Sequence, residues 1–455
     1  MNEIVTSILA FVVAISVLVA VHEYGHFWVA RRLGVRVLRF CIGFGKPIWS
    51  RVSGPDGVEY AIAAVPLGGY VKLLDEREGP VPVEQRHRAF NRQPPVRRIA
   101  ILVAGPLFNF IFAVAAYWLM FLTGITALQP VVGGVEQGTA AAAAGLRAGD
   151  RIVAVARRDT PTMMDARIEL LDSLVGDGEA RLRVLGSDGG QRELLMVVEG
   201  DRRALTEGAD IFPRLGILPW RPVVPPVIGS LSAEGSAARS GLQVGDRIIE
   251  AEGQQFRDWA SWVEFVRARP EQQVAVEIER DGLRQTLDLA IGMTDSEQGV
   301  IGLIGAGVLV PEGLYDEVIT EQRFGPLASV GQALTRTWEM SALTVRMLYR
   351  MVTGDVSPKS ISGPINIAQI AGYTASAGVA AFLAFLAIVS ISLGILNLLP
   401  IPMLDGGQIV YQLVEAVKGT PLSERSQLIG QQMGVALVLL LMTFAVYNDL
   451  SRIFG

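Results

Sequence analysis

A chain of 455 residues that is 50% hydrophobic, with a mean hydropathy of +0.38, is too long for one ordinary domain and too apolar for an ordinary soluble one. The net charge of -5 is unevenly spread: residues 31–98 hold 13 Lys and Arg against 6 Asp and Glu, whereas residues 125–325 hold 20 against 31. This excludes a soluble single-domain protein and fits an integral membrane protein whose short basic segment stays in the cytoplasm while an acidic insert is translocated.

In chain order, residues 4–30 form the first apolar run long enough to span a bilayer, interrupted by His22-Glu23-Tyr24-Gly25-His26. Residues four apart share a helix face, so His22 and His26 can offer two imidazoles to one metal, and Glu23 lies where it can act on water there. Ionisable groups at such depth are costly and usually functional. The alternative is a tolerated His/Glu cluster facing a helix partner. No basic stretch precedes the run, and its length exceeds a signal-peptide core, so it reads as a retained span. Cys41, the single cysteine, permits no intrachain disulfide.

Within the basic segment, residues 57–72 read as strands joined by a turn at Pro66-Leu67-Gly68-Gly69. A second span is expected at 99–123. The acidic insert contains a repeat: Ala144-Gly145-Leu146-Arg147-Ala148-Gly149-Asp150-Arg151-Ile152 recurs as Ser240-Gly241-Leu242-Gln243-Val244-Gly245-Asp246-Arg247-Ile248, and Pro130-Val131-Val132-Gly133 recurs as Pro226-Val227-Ile228-Gly229. The pattern resembles that of PDZ domains, which bind an extended peptide at a sheet edge. A repeated β-rich spacer is the alternative. The expected organisation is 1–125 for two spans and the β region, 126–220 and 221–310 for two PDZ-like α+β domains, 311–371 for a linker, and 372–455 for two further spans. The linker has helical apolar spacing over 326–353, either at the membrane surface or packed on the body. The last spans are expected at 372–404 and 429–447, placing both termini outside and the loop 415–425 inside.

A catalytic zinc needs a third protein ligand. The remaining histidine, His87, lies in a polar stretch, and a metzincin-type extension would need His at position 32, which is Arg32. A carboxylate is therefore expected, and Asp405, the sole acidic residue between Asp355 and Glu415, is the candidate; a helix cap is its alternative. Pro400 and Pro402 disrupt the helix before it, and Gly406-Gly407 is expected to permit a tight turn. Asn397 offers a donor to a developing oxyanion or an interhelical hydrogen bond.

His22-Glu23-Tyr24-Gly25-His26, then Gly105-Pro106-Leu107-Phe108-Asn109-Phe110, then the run from Asn397 through Leu404 to Asp405-Gly406-Gly407 together resemble the site-2 protease family of intramembrane zinc metalloproteases, over essentially the whole chain. The resemblance implies Zn2+ on His22, His26 and Asp405, Glu23 as acid/base and Asn397 as an active-site polar residue. It implies that the β region dips into the membrane and offers Gly68, Gly69 and Tyr70 to an extended substrate. A cytoplasmic hairpin without that role is the alternative. It further implies a bacterial inner-membrane protein with periplasmic PDZ-like domains that exclude bulk. Its substrates would be single-pass helices, such as an anti-sigma factor or leftover signal peptides, cut after an earlier extracytoplasmic cleavage. Peptide termini and the lipid bilayer are the expected partners, nucleic acid is not. Gln408 departs from the His expected in many relatives and is expected to point elsewhere. A non-catalytic PDZ-type scaffold and a metal transporter are the competing readings; the intact His22, Glu23, His26 and Asp405 oppose the first, and Glu23 with the paired peptide-binding modules opposes the second.

Overall fold

A computed structural model describes residues 3–454 except 199, 201, 207–209, 233–234, 297–298, 312, 315, 317, 358–361 and 421. Four of its helices are long and apolar enough to cross a membrane. The first, α1 (Glu3–Arg32), ends on Arg31 and Arg32, where the apolar run meets polar sequence.

Two long strands follow, β1 (Val37–Ser53) and β2 (Val58–Leu73), and their pairing differs from the expected hairpin. Phe40 pairs with both Tyr60 and Val71, and Cys41 with both Ala61 and Tyr70, while Trp49 and Arg51 pair back onto Ile62 and Tyr60. The two halves of β2 therefore flank the first half of β1 and do not pair with each other. The Pro66–Gly69 break is a crossing, not a hairpin turn. It leaves Gly69, Tyr70 and Val71 on an outer edge of the sheet. Arg88 clasps the far turn through two hydrogen bonds to Asp56 at 2.7 and 2.9 Å, and that guanidinium holds the Asp56 carboxyl below the usual carboxylate range.

The second span, α2 (Pro95–Thr123), begins on proline, whose missing N–H is harmless in a first turn. Strand β3 (Ile125–Leu128) then leads into the insert and pairs with the strand that leaves it, β18 (Ile319–Gln322). Between them lie two like units. The first holds β4 (Val132–Val135), α3 (Ala140–Ala143), β5 (Arg151–Val155), β6 (Arg158–Asp159), α4 (Met163–Asp177), β7 (Glu179–Leu185), β8 (Gln191–Val197), α5 (Phe212–Leu215) and β9 (Ile217–Pro219). The second holds β10 (Ile228–Leu231), α6 (Ser236–Arg239), β11 (Arg247–Ala251), β12 (Gln254–Gln255), α7 (Trp259–Arg267), β13 (Gln273–Arg280), β14 (Leu283–Ala290), β15 (Gly292–Ser296), β16 (Gly299–Leu303) and β17 (Ala306–Val308). Their four-stranded sheets share one order, β6-β5-β7-β8 and β12-β11-β13-β14, each beside a two-stranded ribbon, β4-β9 and β10-β17.

The repeated Gly-Asp-Arg motif has a physical cause in this arrangement. Asp150 and Asp246 are buried, and each accepts at 2.8 Å from the backbone N–H three residues earlier, of Arg147 and Gln243. Each is neutralised by an arginine from the sheet, Arg192 and Arg280. Gly149 and Gly245 precede them at φ +86° and +98°, a conformation that L side chains resist.

Helix α8 (Pro326–Thr353) packs on the body by one face, the second of the two readings of the linker, and leaves another face exposed. Ala333 and Met340 pack with Ala113, Ala116 and Tyr117 of α2, while Leu327, Leu334, Trp338, Val345 and Tyr349 form an uncovered apolar stripe. The expected third span is corrected at its start: α9 (Pro364–Ala377) stops at Gly378, φ +118°, and the spanning helix is α10 (Val379–Asn397). Helix α11 (Asp405–Lys418) and the last span, α12 (Glu424–Phe454), complete the chain. Asp449 of α12 is buried and accepts from the N–H groups of Gly363, Ile365 and Asn366, so it caps α9.

Candidate metal centre

The helical spacing does what the sequence requires of it. His22 and His26 lie on one face of α1, nearly buried, with their Nε2 atoms 3.2 Å apart. Asp405 reaches them from the first turn of α11, its Oδ2 lying 3.2 Å from His22 Nε2 and 3.4 Å from His26 Nε2. Seven residues of irregular chain, 398–404, with Pro400 and Pro402 among them, separate α10 from that carboxylate.

Glycines allow the close approach, for a reason other than the expected turn. Gly406 and Gly407 are helical, and a Cβ on either would collide with the carbonyl groups of Leu398, Leu399 and Ile401. Gly105 of α2 is equally constrained, because a Cβ there would collide with the ring of His26 and lie 2.8 Å from His22 Cε1. Arg98, in the first turn of α2, donates to both carboxylate oxygens of Glu415 at 3.0 and 2.5 Å, fixing α11 against α2.

The donor set fits zinc. Oδ2 of Asp405 is buried with no hydrogen-bond partner, an orphan acceptor facing two imidazole nitrogens. Ligands about 2.0–2.1 Å from a tetrahedral ion lie about 3.3 Å from one another, close to the three separations found. The rings are oriented from behind: His26 Nδ1 meets the carbonyl of Ile101 at 2.8 Å, and His22 Nδ1 meets the Asn109 amide at 3.1 Å. The sequence alone marks Asn109 only as part of a motif. A lone amide in the middle of an apolar span was the signal that could have marked its role.

His22, His26 and Asp405 line a cavity of about 650 Å³. Glu23 faces it, as does Val71 on the sheet edge. Gly68, Gly69 and Tyr70 form the lip beside it, and Gly69 leaves no room for a Cβ between Val19, Glu23 and the Cys41 carbonyl. Asn397, the last residue of α10, also lines the cavity. Gln408 does so too, contrary to expectation, and its amide donates to the Pro402 carbonyl. His87 is exposed in a short helical segment, Val83–Arg88, outside the cavity. Chemically, the arrangement can hold one dication with a position left open, beside a carboxylate and an exposed strand edge.

Known proteins place this arrangement. The sequence profile of peptidase family M50 matches residues 10–441. A relative from Salmonella typhi, called regulator of sigma E protease, is 42% identical over 100% of both chains. The Escherichia coli protein called regulator of sigma-E protease RseP is 42% identical over 98% of both, and a Haemophilus influenzae relative, also called regulator of sigma E protease, is 38% identical over 98% of both. A solved PDZ domain from Listeria monocytogenes is 18% identical, covering 18% of this chain and 85% of that one, at a TM-score of 0.17, a likeness too slight to carry weight. A profile matched nearly end to end and relatives of the same length leave one conclusion: the chain belongs to peptidase family M50 and is a multi-pass zinc metalloprotease.

Proposed function

We propose that His22, His26 and Asp405 hold the zinc, that Glu23 is the general acid/base, and that the substrate is a single-pass membrane helix unwound against the edge carrying Gly68, Gly69 and Tyr70. The observation that carries this reading is the convergence of two imidazoles and an orphaned carboxylate oxygen beside Glu23, inside a cavity walled by spans and a strand edge.

Zinc, when bound, supplies Lewis acidity that polarises the scissile carbonyl and acidifies water. Glu23 takes the proton of the attacking water and returns it to the leaving amide nitrogen. The Asn397 side chain is placed to donate to the charge developing on the carbonyl oxygen. A helix has its amides and carbonyls already paired, so cleavage requires local unwinding, and pairing with the edge at Gly69–Val71 compensates the lost hydrogen bonds.

The likeness to proteins called regulators of sigma-E protease supports a finer reading. On this reading the chain lies in a bacterial inner membrane, and residues 126–220 and 221–310 are periplasmic PDZ-like domains that bind peptide termini and exclude bulk. It is the second cutter of a relay acting on an anti-sigma factor and on leftover signal peptides. A non-catalytic scaffold would have no need of Glu23.

The decisive test is Glu23→Gln in protein reconstituted with a trimmed single-pass substrate. Zinc content should stay at one per chain while turnover falls by about 10²- to 10⁴-fold or more. Near-normal cleavage by this variant rules the mechanism out.

A further inference from the structure

We infer that Asn109 is a positioning residue for the metal centre, fixing the ring orientation and tautomer of His22, and that Ser390 holds Asn109 in place. This rests on the zinc assignment above and adds a residue outside the ligand set.

The two histidines are supported differently. The His26 ring is steadied by a main-chain carbonyl, that of Ile101, which any side chain at that position would supply. The His22 ring is steadied by a side chain, the amide of Asn109, which is completely buried. A polar amide without access to water in an apolar span is costly unless it is used. The Asn109 backbone carbonyl in turn accepts from Ser390 Oγ at 2.8 Å, and Ser390 is also completely buried. Gly394, one turn further along α10, packs against Asn109 and the Pro106 carbonyl so closely that a Cβ would lie 3.4 Å from Asn109 Cβ and 3.3 Å from that oxygen. Asn109 is therefore held between three spans: its amide meets His22 of α1, and its main chain, part of α2, is fixed to α10 through Ser390.

The chemistry of the amide suits two states of the ring. Here Nδ2 faces His22 Nδ1, the arrangement for a ring that accepts there, and Oδ1 is buried without a hydrogen-bond partner. When His22 Nε2 gives its lone pair to a metal, the neutral ring must carry its proton on Nδ1 and needs an acceptor. A half-turn of the Asn109 amide brings Oδ1 to that position. No other residue is required to move, and Nε2 stays aimed at Asp405 Oδ2.

The test compares Asn109→Leu with Asn109→Asp in the full-length protein. Leucine keeps the volume and removes the acceptor; aspartate keeps an acceptor for Nδ1–H. Zinc affinity, read by chelator competition, should fall about 10- to 100-fold in Asn109→Leu and return close to the original value in Asn109→Asp. Equal losses in both variants would mean that Asn109 only packs, and unchanged affinity in Asn109→Leu would overturn the inference outright. Ser390→Ala should give a smaller loss than Asn109→Leu, since it loosens the Asn109 main chain and leaves the amide in place; a larger loss contradicts the order of support. A readout free of mutation uses the fact that the chain has three histidines. Nitrogen-15 spectra of the zinc-loaded protein should show His22 metallated at Nε2 with a hydrogen-bonded Nδ1–H. A ring protonated at Nε2 and metallated at Nδ1 would overturn the proposal even if every variant failed to fold. If both ligand rings and Asp405 prove not to bind zinc, the ligand assignment has failed instead, and Glu23→Gln distinguishes that case by its own zinc content.

Discussion

The two repeated units of the insert share a strand order and a buried Asp–Arg pair, yet they are finished differently. The first has its core completed from outside, by Met347 and Met351 of α8 and by Val356 just beyond it. Its helix α4 is pinned to the same helix by ion pairs of Asp165 with Arg336 at 2.8 Å and of Asp172 with Arg346 and Arg350 at 2.8 and 3.0 Å. Ile168 of α4 even joins the cluster that α8 forms with α2 and α10. The second unit closes its core with residues drawn entirely from 228–306, around Trp262, Phe256 and Phe265. A sequence repeat therefore does not imply equal roles: the first unit is built into the body that carries the metal centre, and the second is self-contained.

The largest effect should come from the body itself. Asp405→Ala leaves two imidazoles, so zinc and proteolysis should both be lost while both units keep their folds. Full zinc stoichiometry in this variant would move the third ligand elsewhere. Next is in-frame deletion of residues 130–308. The ribbon of β3 and β18 and all proposed ligands lie outside the deletion, so zinc and cleavage of a trimmed substrate should survive. A substrate still carrying a folded outer domain should now be cut as well, and Glu23→Gln in the shortened chain should abolish that cleavage. If the shortened enzyme still rejects the untrimmed substrate, size exclusion resides in the body and the filter reading is wrong.

How far the sequence anticipated this molecule follows from which interactions are local. His22 and His26 were legible because one helix sets their spacing, and Asp405 because no other carboxylate lies nearby in its segment. The start of the third span was misplaced because apolar sequence runs through Gly378 unbroken, while the backbone does not. The crossing of β2 around β1 was invisible because register is set by pairing between distant residues. Glycines 406 and 407 were rightly marked as special, but the demand on them is close packing against Leu398 and Ile401, which needs the tertiary structure to see. The arginines of α8 were visible as an interleaved pattern, though their partners on α4 were not.

The third way to sharpen the contrast is to damage each core alike. Phe212→Ala and Trp262→Ala each remove a fully buried aromatic ring, costing about 3–5 kcal/mol by lost burial and the cavity left behind. The contrast predicts different reach. Phe212→Ala should speed hydrogen exchange in its own unit and in α8, whereas Trp262→Ala should loosen residues 228–306 and leave α8 protected. Equal loosening of α8 by both would show that the second unit is also fastened to the body.

The smallest effect belongs to the ionic part of the docking. Asp172 faces two arginines, but its side chain and that of Arg350 each keep 17% of their exposure and Arg346 keeps 36%, so solvent screens the attraction. Asp172→Ala should cost about 1 kcal/mol. The Met347 and Met351 contacts should hold the unit in place, so zinc content and cleavage should be unchanged at low salt. The loss should be visible as faster hydrogen exchange where α4 meets α8, and the difference from the unaltered protein should shrink as salt rises past about 0.5 M, because screening removes from the latter what the substitution removes from the former. A deficit that is independent of salt would mean that Asp172 acts through packing or through its backbone carbonyl, which accepts from Arg350 at 3.0 Å and survives the substitution. In that case the ion pairs are incidental, and the apolar contacts alone distinguish the fastened unit from the self-contained one.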